Sequence, residues 1–165
     1  RYIENVHTDP DLMMRYEMYA ESVMQLFEEV TEKAASDIFP KFAAQSAEGD
    51  VLEIAVTGYA DPQPIVGTYL EETVIFSDLQ GEAHTVQNGD RMTNLKLSGL
   101  RAHYSAQHLQ KLFEDRAADI YGQLVRDRKI TLKLVGAGVS DDRTDYAAQR
   151  RIKIIFSRKG EKTEF

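Results

Sequence analysis

A helix held between two apolar strands constrains this chain more than any other feature of its sequence. Val51-Leu52-Glu53-Ile54-Ala55-Val56-Thr57-Gly58-Tyr59 and Ile130-Thr131-Leu132-Lys133-Leu134-Val135-Gly136 both read as strands, the first largely buried. Between them, Leu97, Leu100, Tyr104, Leu109, Leu112, Phe113, Ile120, Leu124 and Val125 mark the apolar face of a helix. It is expected to run from near Ser98 to about Asp127, with a break around Glu114-Asp115. Strands joined through a helix do not form a hairpin; they pair in parallel through a right-handed crossover. A loop from Gly136 through Asp145 then leads to a last strand, Arg151-Ile152-Lys153-Ile154-Ile155-Phe156-Ser157. The expected fold is α/β (α+β), a two-layer sandwich with a mixed β-sheet and helices packed on one face.

A long helix is expected to precede that core. Asp9-Pro10-Asp11 is a helix start, with an N-cap candidate, proline at the first helical position and acid in the first turn. From there to about Ile38 the apolar positions Leu12, Tyr16, Tyr19, Val23, Leu26 and Val30 alternate steps of four and three, the seam spacing of coiled coils. Met13, Ala20, Met24, Phe27 and Ala34 widen the stripe. Packing on the chain's own sheet and packing on a partner both satisfy this pattern. Pro40 and the polar run Gln45 to Asp50 are expected to end the segment. The resulting organisation is an arm and long helix over residues 1–50, a domain over 51–158 and a charged tail over 159–165. Residues 1–9 read as an edge strand or an arm. Within the domain, residues 62–93 form an excursion with β-like character from Thr68 to Phe76, longer than a plain turn requires.

Composition narrows the function classes. With 27 acidic against 20 basic residues in 165, the formal charge of −7 argues against broad binding to nucleic acid or anionic membranes. The absence of cysteine removes disulfides, thiolate metal sites and cysteine nucleophiles. No apolar run approaches the roughly 18 residues of a membrane span, and a chain beginning at Arg1 reads either as a processed protein or, preferably, as part of a longer one. The four histidines show no metal spacing; His103 and His108, five apart, fall on different helix faces. Asp141, Asp142 and Asp145 lack the rest of a calcium loop. Gly136-Ala137-Gly138 lacks the third glycine and the helix of a dinucleotide fingerprint. No nucleophile elbow, P-loop or catalytic carboxylate pair is present, so neither an enzyme nor a cofactor is expected.

Three stretches at element ends remain as candidates. Gly58-Tyr59-Ala60-Asp61 puts a carboxylate just past a buried strand, where a turn-former would also sit. In Asn94-Leu95-Lys96-Leu97-Ser98-Gly99-Leu100-Arg101-Ala102, Ser98 is expected to cap the helix and Arg101 to emerge one turn in. A cation there opposes the helix dipole, which suggests that it is held for a partner, whether a ligand or a carboxylate such as Glu114 or Asp115. Gln149-Arg150-Arg151 opens the last strand.

These stretches resemble the OmpA-like peptidoglycan-binding family, whose pattern runs G-[HY]-[TA]-D, N-x-x-L-S-x-x-R-A, V-x-G-x-G and [ND]-R-R-[VI]-x-I. Gly58 to Asp61 matches the first, and Asn94, Leu97, Ser98, Arg101 and Ala102 the second. Val135 to Gly138 fits the third and Arg150 to Ile154 the fourth, all in family order over residues 51–158. The resemblance implies non-covalent binding of the diaminopimelate residue of a peptidoglycan stem peptide. Asp61 would accept from the ligand's ammonium group, Arg101 would clasp its carboxylate, Asn94 would shape the site and Arg150 would add a cation. Leu97, Ser98 and Arg151 would support them structurally. A zwitterion needs one anion and one cation at fixed separation, so such binding should weaken with salt and below about pH 4.

Asp61 and Asn94 are separated by the excursion, and Pro62-Gln63-Pro64-Ile65 follows the aspartate. That run is similar to the MotB-like stator B subunits. The resemblance implies a periplasmic anchor of a membrane-tethered envelope or stator-like protein. Its partners would be peptidoglycan, a second copy through the N-terminal helix, and membrane-embedded subunits reached through an upstream part. The alternative is a dimerisation or scaffold module whose pocket is closed by residues 62–93.

Overall fold

The computed structural model describes residues 10–62, 66–139 and 152–165, with side chains described from Ser22 onward. Its architecture is mixed α/β. Helix α1 (Pro10–Lys33) continues through a π-helical turn, Ala34–Ile38, into α2 (Phe39–Gln45), and strand β1 (Leu52–Ala60) follows. The excursion contributes β2 (Val74–Ser77) and β3 (Ala83–Val86). Then come α3 (Asn94–Arg116), α4 (Ala118–Arg126), β4 (Ile130–Val139), β5 (Ile152–Arg158) and β6 (Glu161–Glu164). Among the described residues six strands form one sheet in the order β3-β2-β4-β1-β5-β6. β1 and β4 pair in parallel, as a helix between them requires, with Leu52 beside Ile130 and Gly58 beside Gly136. β5 adds antiparallel to the other side of β1.

The register sorts the side chains. Leu52, Ile54 and Val56 of β1 and Ile152, Ile154 and Phe156 of β5 are buried in one apolar cluster with the helices. Their alternates, including Thr131, Lys133, Lys153 and Ser157, occupy the opposite face. Of the coiled-coil seam, Val23, Leu26 and Val30 are buried in the chain's own core together with Phe27 and Ala34. The C-terminal half of the long helix is therefore part of this core, joined to α3 by a two-pronged Glu28–Arg116 ion pair. The side chains of Leu12, Tyr16 and Tyr19 lie outside those described.

Several boundaries depart from expectation. Pro40 does not end the helix, which runs on to Gln45. In an α-helix Pro40 could give no hydrogen bond and its ring would strike the carbonyl four residues back. The π turn relieves this: the Phe39 amide donates to the Ala34 carbonyl, five residues back, and the helix crosses the proline in a wider register. The break between α3 and α4 falls at Ala117, a little after Glu114-Asp115. β4 runs through Gly136-Ala137-Gly138 to Val139, although that stretch reads as a loop, because Gly138 takes a φ of 69° at an irregularity in its pairing with β1.

The tail is also structured, as β6 pairs antiparallel with β5. Just before β6, Arg158 and Lys159 turn onto Asp50. Asp50 accepts from the Ala47 amide (2.8 Å), Lys159 Nζ (3.1 Å) and Arg158 Nη2 (3.1 Å). Those donors, the Ala47 amide foremost, hold its carboxyl down to about 2. Because the folded value lies below the unfolded one, the stabilisation is full above the unfolded value and disappears as pH falls through the folded one. The difference in Tm between wild type and Asp50→Asn should therefore be constant above about pH 5 and shrink steadily towards about pH 2. A difference that stays constant over that range would mean that ionisation of Asp50 adds nothing to folding.

Candidate functional site

The site begins with a close approach of helix to sheet. Gly58 of β1 faces α3 so tightly that a Cβ there would strike the Ser98 carbonyl oxygen and stand 2.9 Å from the Ala102 nitrogen. A Cβ on its neighbour Gly136 would lie 2.5 Å from the Phe76 ring and 2.8 Å from the Gly99 nitrogen. Glycine at both positions lets α3 settle onto the C-terminal ends of β1 and β4. Ser98 locks the contact: its buried hydroxyl donates to the Leu95 carbonyl (2.6 Å) and accepts from the Gly138 amide (2.9 Å). The stretches around Gly58, Ser98 and Gly138 thus meet in space.

Ser98 is not the cap of this helix. α3 starts at Asn94, and Thr93 caps it, its hydroxyl accepting from the Lys96 amide at 3.2 Å. Ser98 sits in the second turn, which frees its hydroxyl to bridge to β4. Arg101 is consequently two turns in rather than one. Dipole effects fade after the first turn, so the electrostatic cost expected at Arg101 does not arise. Its position has a different cause. Arg101 Nη1 donates to the Tyr59 carbonyl at 2.6 Å, which draws the guanidinium over the end of β1.

Asp61 follows that strand, half-buried, two residues beyond the carbonyl that Arg101 holds. Leu97 is buried in the second apolar cluster with Ala60, Tyr69, Phe76 and Leu100. Asn94 is half-buried at the first position of α3. Arg150 and Arg151 lie outside the described residues.

The excursion is a long irregular hairpin closed at its base. Tyr69 N donates to Asp90 O (2.9 Å), Gly89 N to Tyr69 O (2.7 Å) and Met92 N to Gly67 O (3.0 Å). Its insertion between Asp61 and Asn94 is therefore tied off a few residues from both. Reasoning from sequence missed how it seats on α3. Tyr69 Oη lies 3.0 Å from Tyr104 Oη and donates to the Glu72 carbonyl (2.7 Å); Tyr104 Oη is 3.3 Å from Glu71 Oε2, and His103 Nε2 is 3.3 Å from Glu72 Oε1. Burial drives the Tyr104 phenol far above the usual tyrosine range, and Tyr69 with the Glu71 and Glu72 carboxylates adds to the effect, so it remains a neutral hydroxyl. The available signal was Tyr104 itself, three residues after Arg101 and so one turn along the same side of α3.

A cavity of about 360 Å³ lined by Glu48, Asp50, Asp127, Arg128 and Lys129 lies at the opposite end of β1 and β4. A nine-residue strand separates it from Asp61, about 30 Å of rise, so it is no part of this site. Among the described residues no group of three or more His, Cys, Asp or Glu side chains is placed to hold a metal ion. No helix among them is long and apolar enough to cross a membrane.

No protein-family model, curated protein or solved structure matches this chain.

Proposed function

We propose that the chain binds peptidoglycan without covalent chemistry, holding the zwitterionic end of a diaminopimelate-containing stem peptide, and so anchors a periplasmic envelope or stator-like protein to the cell wall. The observation that carries this reading is the hydrogen bond from Arg101 to the Tyr59 carbonyl. It holds a guanidinium at the end of β1, and Asp61 is the residue that follows this strand. Recognition of an amino-acid zwitterion needs one cation and one anion; Arg101 would supply the first, its guanidinium fork suiting a carboxylate, and Asp61, two residues beyond the accepting carbonyl, the second. The Ser98 bridge to Gly138 holds the helix that carries the cation. The OmpA-like resemblance supports the same assignment, with Asn94 shaping the site and Arg150 as a second cation. In this reading the protein is not an enzyme and needs no cofactor.

Purified sacculi should retain the wild-type protein, with retention falling as salt is raised. Asp61→Ala and Arg101→Ala should each weaken it roughly tenfold or more, the effect of removing a charge-assisted hydrogen bond. Equal retention of wild type and both variants, all folded by circular dichroism, would refute the site. A second reading has its own observation: the excursion packs on α3 at His103 and Tyr104, one turn from Arg101. If it closes over the pocket, the chain serves as a scaffold or dimerisation module. A stable dimer in sedimentation with no sacculus binding would favour that reading.

A further inference from the structure

The two edges of the sheet are built differently. β6 presents Glu161, Lys162 and Glu164, charges that discourage strand addition. β3, at the other edge, reads Ala83-His84-Thr85-Val86, with no carboxylate, lysine or proline to guard it. Its inner side is paired with β2, Thr85 opposite Ile75 and Ala83 opposite Ser77, and among the described residues its outer side ends the sheet. Apolar surface gathers in the same segment. Among the described residues, the large apolar side chains more than half exposed are Val66 (73%), Leu70 (52%), Ile75 (65%) and Leu79 (63%), all within residues 62–93. Single exposed apolar residues need no explanation, but their confinement to one segment does.

The hairpin carrying this edge is held rigid. Asp78 accepts from the Gln80 amide (2.9 Å) and the Glu82 amide (3.0 Å) and contacts His84 Nε2 (2.8 Å), fixing the turn between β2 and β3. An ordered edge loses little entropy when a strand adds to it. Charge then selects the occupant. Residues 62–93 carry five acids and one arginine, and Glu71, Glu72 and Glu82 are exposed. Nucleic acid and anionic lipid are repelled by such a surface, and a second copy would bring like charges together.

We propose that β3 is an acceptor edge for an extended segment of a partner protein in which basic residues alternate with apolar ones. Main-chain hydrogen bonds to β3 supply the affinity, an apolar side chain continues the Ile75–Thr85 row, and the basic residues meet the surrounding acids. This does not depend on what Asp61 and Arg101 bind.

A short alternating Lys–Val peptide is the probe, titrated against the whole chain by calorimetry, with amide chemical shifts of Ala83 to Val86 followed in parallel. The expected result is binding with shifts confined to β3 and its neighbours. N-methylation of alternate peptide amides, which removes donors but no charge, should weaken it roughly tenfold or more. Ile75→Ser with Leu79→Ser should weaken it as well, and both sites are exposed enough for the fold to persist. Equal binding of the N-methylated peptide, equal binding of a Glu–Val counterpart, or shifts away from β3 would overturn the proposal. So would self-association through β3 in sedimentation.

Discussion

Replacing Phe39 by alanine should destabilise the chain by about 3–5 kcal/mol, the range for removing a buried aromatic ring. Phe39 is completely buried where the helical layer meets the sheet. Its ring lies edge-on to Phe113 with centroids 5.0 Å apart, tilted against Tyr121 at 5.6 Å and near Phe156 at 6.2 Å. Those neighbours come from α3, α4 and β5, so the cavity left by truncation would be walled by three elements that cannot collapse together. Denaturant unfolding would measure the loss as a lower midpoint at unchanged slope. A cost below about 1 kcal/mol would show that the ring is not central to the core.

Gly58→Ala should cost about 3 kcal/mol, the upper part of the range for overpacking, and should abolish ligand binding as well. The new methyl would strike the Ser98 carbonyl oxygen and crowd the Ala102 nitrogen, and backbone cannot step aside as a flexible side chain can. Relief requires α3 to lift from β1, which would part Arg101 from the Tyr59 carbonyl. Gly81→Ala is the control. Gly81 has a φ of 85° with open space around it, so alanine there is strained only in its backbone and should cost about 1 kcal/mol without touching the site. Equal costs at the two positions would contradict a steric role for Gly58. Both measurements need only unfolding curves, and sacculus retention reports the second effect.

The local elements were legible because each is encoded by its own periodicity and punctuation. The alternation in Leu52 to Val56 and the helical stripe from Leu97 to Val125 are both short-range signals. Pro40 misled because a proline normally stops a helix; the π turn that carries the chain past it is favoured by burying Phe39 and Phe42, which a linear pattern does not weigh. The start of α3 misled because Thr93 and Ser98 are both capping residues by type. Only the presence of Gly138 across the groove assigns Ser98 to the sheet instead. The tail looked like solvated charge, and its pairing with β5 depends on a partner strand that a local reading cannot supply.

The candidate site divides the same way. Asp61 and Arg101 stood out as charges at element ends, and Gly58 and Gly99 only as members of the two stretches that carry them. That Gly58, Gly99 and Gly136 are one device for bringing a helix onto two strands emerges only when those segments face each other. The excursion's footing on Tyr104 and His103 is likewise a meeting of residues more than thirty positions apart.

What the sequence alone determined here is the kind, order and burial of most elements, since hydrophobic period and turn chemistry act over a few residues. What only the tertiary structure decided is which hydroxyl caps and which bridges, how a helix survives its proline, and where a guanidinium finds its carbonyl. Those outcomes depend on the close packing of segments distant in the chain, where the fit of one atom against another overrides local preference.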